Sequence, residues 1–505
     1  MRVPGIGAMA LVLLAPLWAG AGEIPPEKQT ALAAVDSLAA EISQMASSLW
    51  IYSELALQER RSAELLATVL ERAGFRVDRG VAGMPTAFVA AHGEGRPILG
   101  ILAEYDALPG VGNAAVPRQQ PRGDGVSAGH GCGHNLLGTG SVAAALALQR
   151  VMQKHRLAGT IRLYGTPAEE TLIGKTYMAR DRLFDDLDAA LEWHPSDKNA
   201  VANTANLAMN SFTVEFFGRP SHAAVDPWNG RSALDAVELL THGVNLMREH
   251  IKPSARLHYV IPSAGEAPNV VPAYAKAWLY VRDVDRAAVE SHYEWILKIA
   301  EGAAMATRTT QRVTLTTGVH EYRFNRPLQE AMQANLELVG GPRYGEAAQR
   351  FARELQRALG LPERGIDTAI QKLKAEVEPV RGGSTDVAEV SHITPTVGLA
   401  IATVGKDLPW HSWATSASHG IPESSVGASA AAKVLALTGV DLLLQPDLLQ
   451  RARAFLQAEA GGKPYLSPLP PGQQPPLPGR PWAPCHSKMT NSSAGHSERS
   501  EESSV

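Results

Sequence analysis

Ser127-Ala128-Gly129-His130-Gly131-Cys132-Gly133-His134-Asn135 puts a thiol and two imidazoles into a glycine-rich loop. Glycine takes positive φ at no steric cost, so this backbone turns sharply enough for short side chains to converge on one point. Upstream, Pro97 to Ala103 is a short apolar run that ends in Glu104-Tyr105-Asp106-Ala107-Leu108-Pro109. Downstream, Leu136 to Arg150 is rich in Ala and Leu and predicts a helix. A strand, a loop carrying reactive side chains and a helix, in that order, belong to an α/β domain, where sites gather at the carboxyl ends of strands. At a helix N-terminus the dipole favours a thiolate, which makes Cys132 a candidate ligand. A buried, inert cysteine in a turn is the alternative on the loop alone.

The alternation continues outward. Glu27 to Leu57 has apolar residues at helical spacing, and Ser62 to Ala73 predicts a helix closed by Gly74. Phe75 to Val77, Thr86 to Ala91, Thr160 to Tyr164 and Asp188 to Glu192 predict strands, with a helix over Leu172 to Arg182. These imply a mostly parallel sheet with helices on both faces, a catalytic domain whose first part is 27–206. From 207 to 323 the order changes to β-α-β-β-α-β: strands at Ser211–Phe217, Arg256–Ile261, Ala273–Val281 and Arg312–Thr317, helices at Ser232–His250 and Arg286–Ala304. Such a unit folds by itself as a two-layer, ferredoxin-like α+β sandwich, so it is expected to be an inserted domain. The α/β pattern resumes over 324–466, with a strand at Thr396 to Thr403 and an Ala-rich helix from Ser424 to Leu437.

The 505 residues, 45% of them hydrophobic, are enough for two or three domains. With 47 Lys+Arg against 51 Asp+Glu there is no basic field to draw nucleic acid. Two cysteines, Cys132 and Cys485, supply no disulfide framework. Arg2, the apolar run Ala8 to Trp18 and the small residues Ala19-Gly20-Ala21 predict a cleaved signal over 1–21, hence a periplasmic or extracellular protein. No later segment is read as a membrane span. The proline-rich and then Ser/Glu/Arg-rich stretch 467–505 is expected to be disordered.

Further candidates for chemistry follow predicted strands: the pair Glu169-Glu170, and His194 in Glu192-Trp193-His194-Pro195. Adjacent carboxylates on a loop point different ways, so one can bind an ion while the other faces a water on it. The alternatives are a helix-terminal charge pair and a packed histidine. Late in the chain come His411, in Trp410-His411-Ser412-Trp413, and His419. Thiolate, imidazole and carboxylate together suit zinc, with manganese possible where oxygen donors dominate.

In order along the chain, Tyr105-Asp106-Ala107-Leu108-Pro109, Gly131-Cys132-Gly133-His134-Asn135, Pro167-Ala168-Glu169-Glu170, Gly218-Arg219-Pro220-Ser221-His222-Ala223-Ala224, Pro268-Asn269-Val270-Val271-Pro272, Gly382-Gly383-Ser384-Thr385-Asp386 and His411-Ser412-Trp413 resemble the M20 metallopeptidase family, in its amidohydrolase branch acting on aminobenzoyl-glutamate. The resemblance implies a site for two divalent ions, Zn or Mn, with Cys132 bridging and His134, Glu170, His194 and His411 as the other ligands; His419 is the substitute for the last. It implies Glu169 as general base to a metal-bound water that hydrolyses the amide of an N-acyl or N-aroyl amino acid. It makes the inserted domain a lid and dimer interface whose His222 reaches a partner's site, and a partner subunit is a further possibility for this type. Asn269, Arg282, Gly383, Ser384 and Thr385 are the implied substrate contacts. Glu104 stands where a related branch often has Asp, which leaves its role open. A dipeptidase or N-acyl-amino-acid deacylase, and a thiol hydrolase with Cys132 as nucleophile, are the rival readings.

Overall fold

The computed structural model describes residues 23–380 and 383–478. The expected signal over 1–21 lies outside the described residues, as does 479–505. The strands are β1 (Arg76–Arg79), β2 (Phe88–Glu94), β3 (Ile98–Ala103), β4 (Gly159–Gly165), β5 (Ala189–Ser196), β6 (Ala200–Val201), β7 (Ala208–Phe217), β8 (Arg256–Ser263), β9 (Tyr274–Asp283), β10 (Thr310–Val319) and β11 (Thr396–Ala402).

Seven of them form one sheet in the order β1-β2-β4-β3-β5-β11-β6. Its centre, β4, β3, β5 and β11, is parallel, with Ile101 opposite both Leu163 and Leu191. These central strands are buried on both faces, which is why Ile98–Ala103 and Thr396–Ala402 read as continuous apolar runs. The flanking strands β1, β2 and β6 pair antiparallel. The outermost, β1, carries Arg76, Asp78 and Arg79, charges that discourage further pairing at an edge.

The helix after the glycine loop, His134–His155, is buried along its first four turns. Its seat against the end of β3 depends on a missing side chain: a Cβ at Gly138 would stand 2.7 Å from the carbonyl oxygen of Glu104. The sequence reading has no membrane-length apolar segment after the signal, and here it is corrected. Pro422–Leu444 is long and apolar enough to cross a membrane, but 78% of its apolar window is buried, because its Ala-rich surface packs in the core of the sheet domain. The helix expected over Glu27 to Leu57 divides at Leu38 into Pro26–Ser37 and Ala39–Tyr52.

Between β6 and β11 the chain builds a second, all-antiparallel sheet, β10-β7-β9-β8. The helices Ala233–Met247 and Arg286–Thr307 start at Ser232 and Asp285, whose side chains accept from Asp235 N and Ala288 N. With Phe212, Val214, Phe216, Leu240 and Ile296 they enclose a core separate from that of the first sheet.

The expectation of disorder is corrected over 467–478, and its remainder, 479–505, lies outside the described residues. Leu469 is 4% exposed, and Gln473 donates to Tyr177 Oη (2.8 Å) and to the Leu315 carbonyl (2.7 Å). Composition alone gave no sign that a proline-rich strand of chain has a groove waiting for it.

Candidate metal centre and active site

The loop turns at Gly133, φ 80°, where a Cβ would lie 2.8 Å from His419 Nε2, so only glycine fits. His134 then opens the helix. Its Nδ1 is 2.9 Å from Asp106 Oδ1, while Asp106 Oδ2 accepts from Glu170 N at 2.9 Å. One carboxylate at the end of β3 therefore sets both the ring and the glutamate pair. With Nδ1 engaged, His134 Nε2 is buried and has no hydrogen-bond partner. His194, on β5, has Nδ1 2.6 Å from the Pro195 carbonyl and Nε2 3.5 Å from Cys132 Sγ. His411 Nε2 is 3.4 Å from Glu170 Oε2, on a residue held at φ 54°.

Three sets of donor atoms have all members within 4.8 Å of one another: Cys132, His134 and His194; Cys132, Glu170 and His411; and Glu104, His134 and Glu169. Cys132 belongs to the first two, as a shared ligand must. Sulfur, imidazole nitrogen and carboxylate oxygen, with a buried His134 Nε2 that makes no hydrogen bond although Glu104 Oε2 is 3.3 Å away, fit a divalent cation such as zinc or manganese. His419 stands apart: its Nδ1 is 2.8 Å from the His130 carbonyl and its Nε2 3.1 Å from Thr403 Oγ1, so both nitrogens are engaged.

Burial, reinforced by the carboxylates of Glu104 and Asp386, holds Glu169 well above the usual carboxylate range. Glu170 is pushed up to about 7, chiefly by burial. Burial opposes charge on His134, but the hydrogen bond and charge of Asp106 together with those of Cys132 outweigh it and hold the ring's pKa well above its ordinary value. The thiolate expected of Cys132 from the helix dipole is not what the protein alone favours: burial, then the charge of Glu170, pushes the thiol up. A bound cation opposes all of these upward shifts of acidic groups.

Two cavities meet at this cluster. One, about 420 Å³, holds Glu169, Glu170, Arg282 and Tyr280; the other, about 940 Å³, extends past His194 and Trp410. Gly383, Ser384 and Thr385 line both, and Arg282 Nη1 donates to Ser384 Oγ at 3.4 Å. His222 and Asn269 line neither. Both are exposed on the inserted domain, where His222 Nδ1 accepts from Ala224 N and Val225 N (3.2 Å each) and the Asn269 carbonyl accepts from Ala223 N.

Sequence reasoning left Glu104 open and passed over Lys175 and Asp386. Lys175 is buried with Nζ 2.8 Å from Glu104 Oε1 and 2.7 Å from Asp386 Oδ1. Its one available signal is a lysine inside the apolar-flanked helix expected over Leu172 to Arg182. Asp106 has no role in the sequence reading, although an acid three residues past the end of β3 is well placed to orient a ligand.

The model of Peptidase family M20/M25/M40 matches residues 100–425. A p-aminobenzoyl-glutamate hydrolase subunit of Escherichia coli (strain K12) is 38% identical over 453 residues, 85% of this chain and 94% of that protein. The Xaa-Arg dipeptidase of Homo sapiens is 28% identical over 454 residues, 86% and 93% of the two chains. In fold, the chain is similar to a dinuclear metal-binding peptidase of the M20 family from Bacillus subtilis, with a TM-score of 0.51 and 18% identity over 80% of this chain and 99% of that one. With a family match across most of its length and a donor cluster at its centre, the chain belongs to the M20 peptidase family and is a metal-dependent amidohydrolase.

Proposed function

We propose that this enzyme hydrolyses the amide bond of N-aroyl or N-acyl amino acids resembling p-aminobenzoyl-glutamate. The observation that carries the reading is the pair of donor sets sharing Cys132 at the junction of two cavities, in a chain 38% identical to a p-aminobenzoyl-glutamate hydrolase subunit. Cys132, His134 and His194 would hold one divalent cation, and Cys132, Glu170 and His411 the other. Such a pair supplies a polarised carbonyl and a water acidic enough to attack near neutral pH.

The protein's own part is positioning and proton transfer. Asp106 fixes the His134 ring and the Glu170 backbone. Glu169, enclosed beside the cluster, takes the proton of the attacking water and returns it to the departing nitrogen. Arg282 and Ser384 receive a substrate carboxylate. The inserted β-α-β-β-α-β unit, with the strand order of a ferredoxin-like sandwich, acts as lid and dimer interface. Val225, Trp228 and Val270 are exposed around the His222 turn, and Val270 bridges to His222 itself, an apolar surface that suits a second copy. His222 then polarises the scissile carbonyl in the partner's site. A partner subunit, as the name of the bacterial relative suggests, and export directed by residues 1–21 belong to the same reading.

A dipeptidase is the second reading, favoured by the likeness to the Xaa-Arg dipeptidase. A thiol hydrolase is disfavoured by the raised pKa of Cys132. The test is a panel of N-aroyl amino acids, N-acyl amino acids and dipeptides, run with Zn or Mn added to stripped enzyme. Turnover of aminobenzoyl-glutamate ahead of dipeptides is expected, and cleavage of dipeptides alone would shift the assignment.

A further inference from the structure

The two cavities differ in charge and in what builds them. The smaller has Arg282 as its one cation, among Glu104, Glu169, Glu170 and Glu192. The larger is lined by three lysines, Lys198, Lys372 and Lys374, against one carboxylate, Glu378.

The wall bearing two of these lysines runs over 361–380 with no helix, and it is bolted to the sheet by side chains that are themselves buried. Asn199 Nδ2 donates to the carbonyls of Asp367 (3.0 Å) and Ala369 (3.2 Å). Asn203 Nδ2 donates to those of Glu376 (2.8 Å) and Lys374 (3.4 Å). Backbone bonds Gln371 N to Asn199 O and Glu378 N to Asn203 O complete the attachment. Lys374 is already paired, its Nζ 2.5 Å from Glu378. Lys198 shares the charge of the same Glu378 without a close ion pair, and Lys372 is in no ion pair among the described residues, which leaves two positive charges in excess over the one carboxylate of the lining.

Ammonium groups in excess over carboxylates along a concave wall focus a positive potential into it. At about 940 Å³ this lobe is at the upper end of small-ligand pockets, and it comes in addition to the smaller lobe, where Arg282 and Ser384 already serve a carboxylate. We propose that the larger lobe is a subsite for an anionic extension of the substrate, a short chain of carboxylates beyond the scissile amide such as an acidic oligopeptide, with Lys198 and Lys372 as its specificity-determining residues. This rests on the amide-hydrolase reading of the site and adds to it the class of group carried on one side of the bond.

Two measurements test it. In the first, Zn- or Mn-loaded enzyme is given N-benzoyl-Glu-Glu-Glu and the isosteric N-benzoyl-Glu-Gln-Gln. Wild type should prefer the acidic tail by about tenfold in kcat/KM, a preference that shrinks with added salt. The double variant Lys198→Gln/Lys372→Gln should bring the ratio close to one, while Lys154→Gln, on the far end of the His134–His155 helix, should leave it as in wild type. In the second, triglutamate alone is titrated calorimetrically, and the double variant should bind it about tenfold more weakly. A wild-type ratio near one, a ratio that survives the double substitution, or triglutamate binding indifferent to it would overturn the subsite. Failure of every aroyl substrate, with lysine-dependent binding of triglutamate intact, would instead strike the proposed reaction and leave the anionic subsite standing.

Discussion

Lys175 Nζ and Asp386 Oδ1 stand 2.7 Å apart with neither side chain exposed to solvent, and the same ammonium is 2.8 Å from Glu104 Oε1. Asp386 directly follows the Gly383-Ser384-Thr385 turn, while Glu104 Oε2 is 3.3 Å from His134 Nε2. One buried cation therefore joins Glu104, in the lining of the smaller cavity, to the turn that lines both cavities. Removing it strands two buried carboxylates, which costs about 3–5 kcal/mol where a partnered charge is left alone. Lys175→Met should lower stability by that order in denaturant titrations. Lys175→Met/Asp386→Asn should recover part of the loss, and a double variant no better than the single one would dissociate the pair.

The proton-carrying role of Glu169 and the ligand role of Cys132 can be separated by what each variant loses. Glu169→Gln should retain bound metal and lose about 10²–10⁴ in kcat, because only the proton carrier is gone. Cys132→Ser should instead lower metal content, since a hydroxyl is a poorer ligand than a thiolate, with activity partly restored by excess metal. Metal analysis alongside rates checks both. Parallel loss of metal and activity in Glu169→Gln would make Glu169 a ligand, which its place in the Glu104, His134 and Glu169 set leaves room for.

Much of the fold is legible in the sequence. Periodicity placed the central strands and the β-α-β-β-α-β unit, because buried parallel strands and amphipathic helices leave direct marks on sequence. His411 could be chosen over His419 only by resemblance, and its proximity to Glu170 depends on a loop conformation no local pattern encodes. Lys175 and Asp386 are 211 residues apart in sequence, and their pairing is a product of tertiary packing. The wall at 361–380 escaped notice for the same reason. It has no periodicity, and what holds it are the amides of Asn199 and Asn203, more than 160 residues upstream.

Acid sensitivity should come from a histidine well away from the metal donors. Burial, with the charges of His320 and Arg323, draws His392 down to about 3, and its Nε2 donates to the Glu321 carbonyl at 2.8 Å. An unfolded histidine has its ordinary value near 6.5. Between those values the unfolded chain holds a proton that the folded chain refuses, so stability falls as pH drops, by up to about 1.4 kcal/mol per unit for one such group. Urea midpoints at pH 7 and pH 4.5 should differ less in His392→Gln than in wild type. Equal slopes would show that His392 does not set the acid limb.

His222 is the sharpest test of whether the inserted domain takes part in catalysis. Within one chain it is exposed and outside both cavities, its Nδ1 occupied by two backbone donors of its own turn. Nε2 therefore faces outward from a surface that also carries Val225, Trp228 and Val270. If a second copy covers that surface, one chain's His222 enters the other's site, and a site needs Glu169 from its own chain and His222 from its partner. His222→Ala and Glu169→Gln homodimers should each be nearly inactive. Mixed under conditions that exchange subunits, they form heterodimers in which one site has both groups and the other has neither. Activity should return to at most about a quarter of wild type, since about half the dimers are mixed at equal amounts and each has one working site. No recovery, with exchange demonstrated by labelled subunits, would mean that His222 acts within its own chain or not at all.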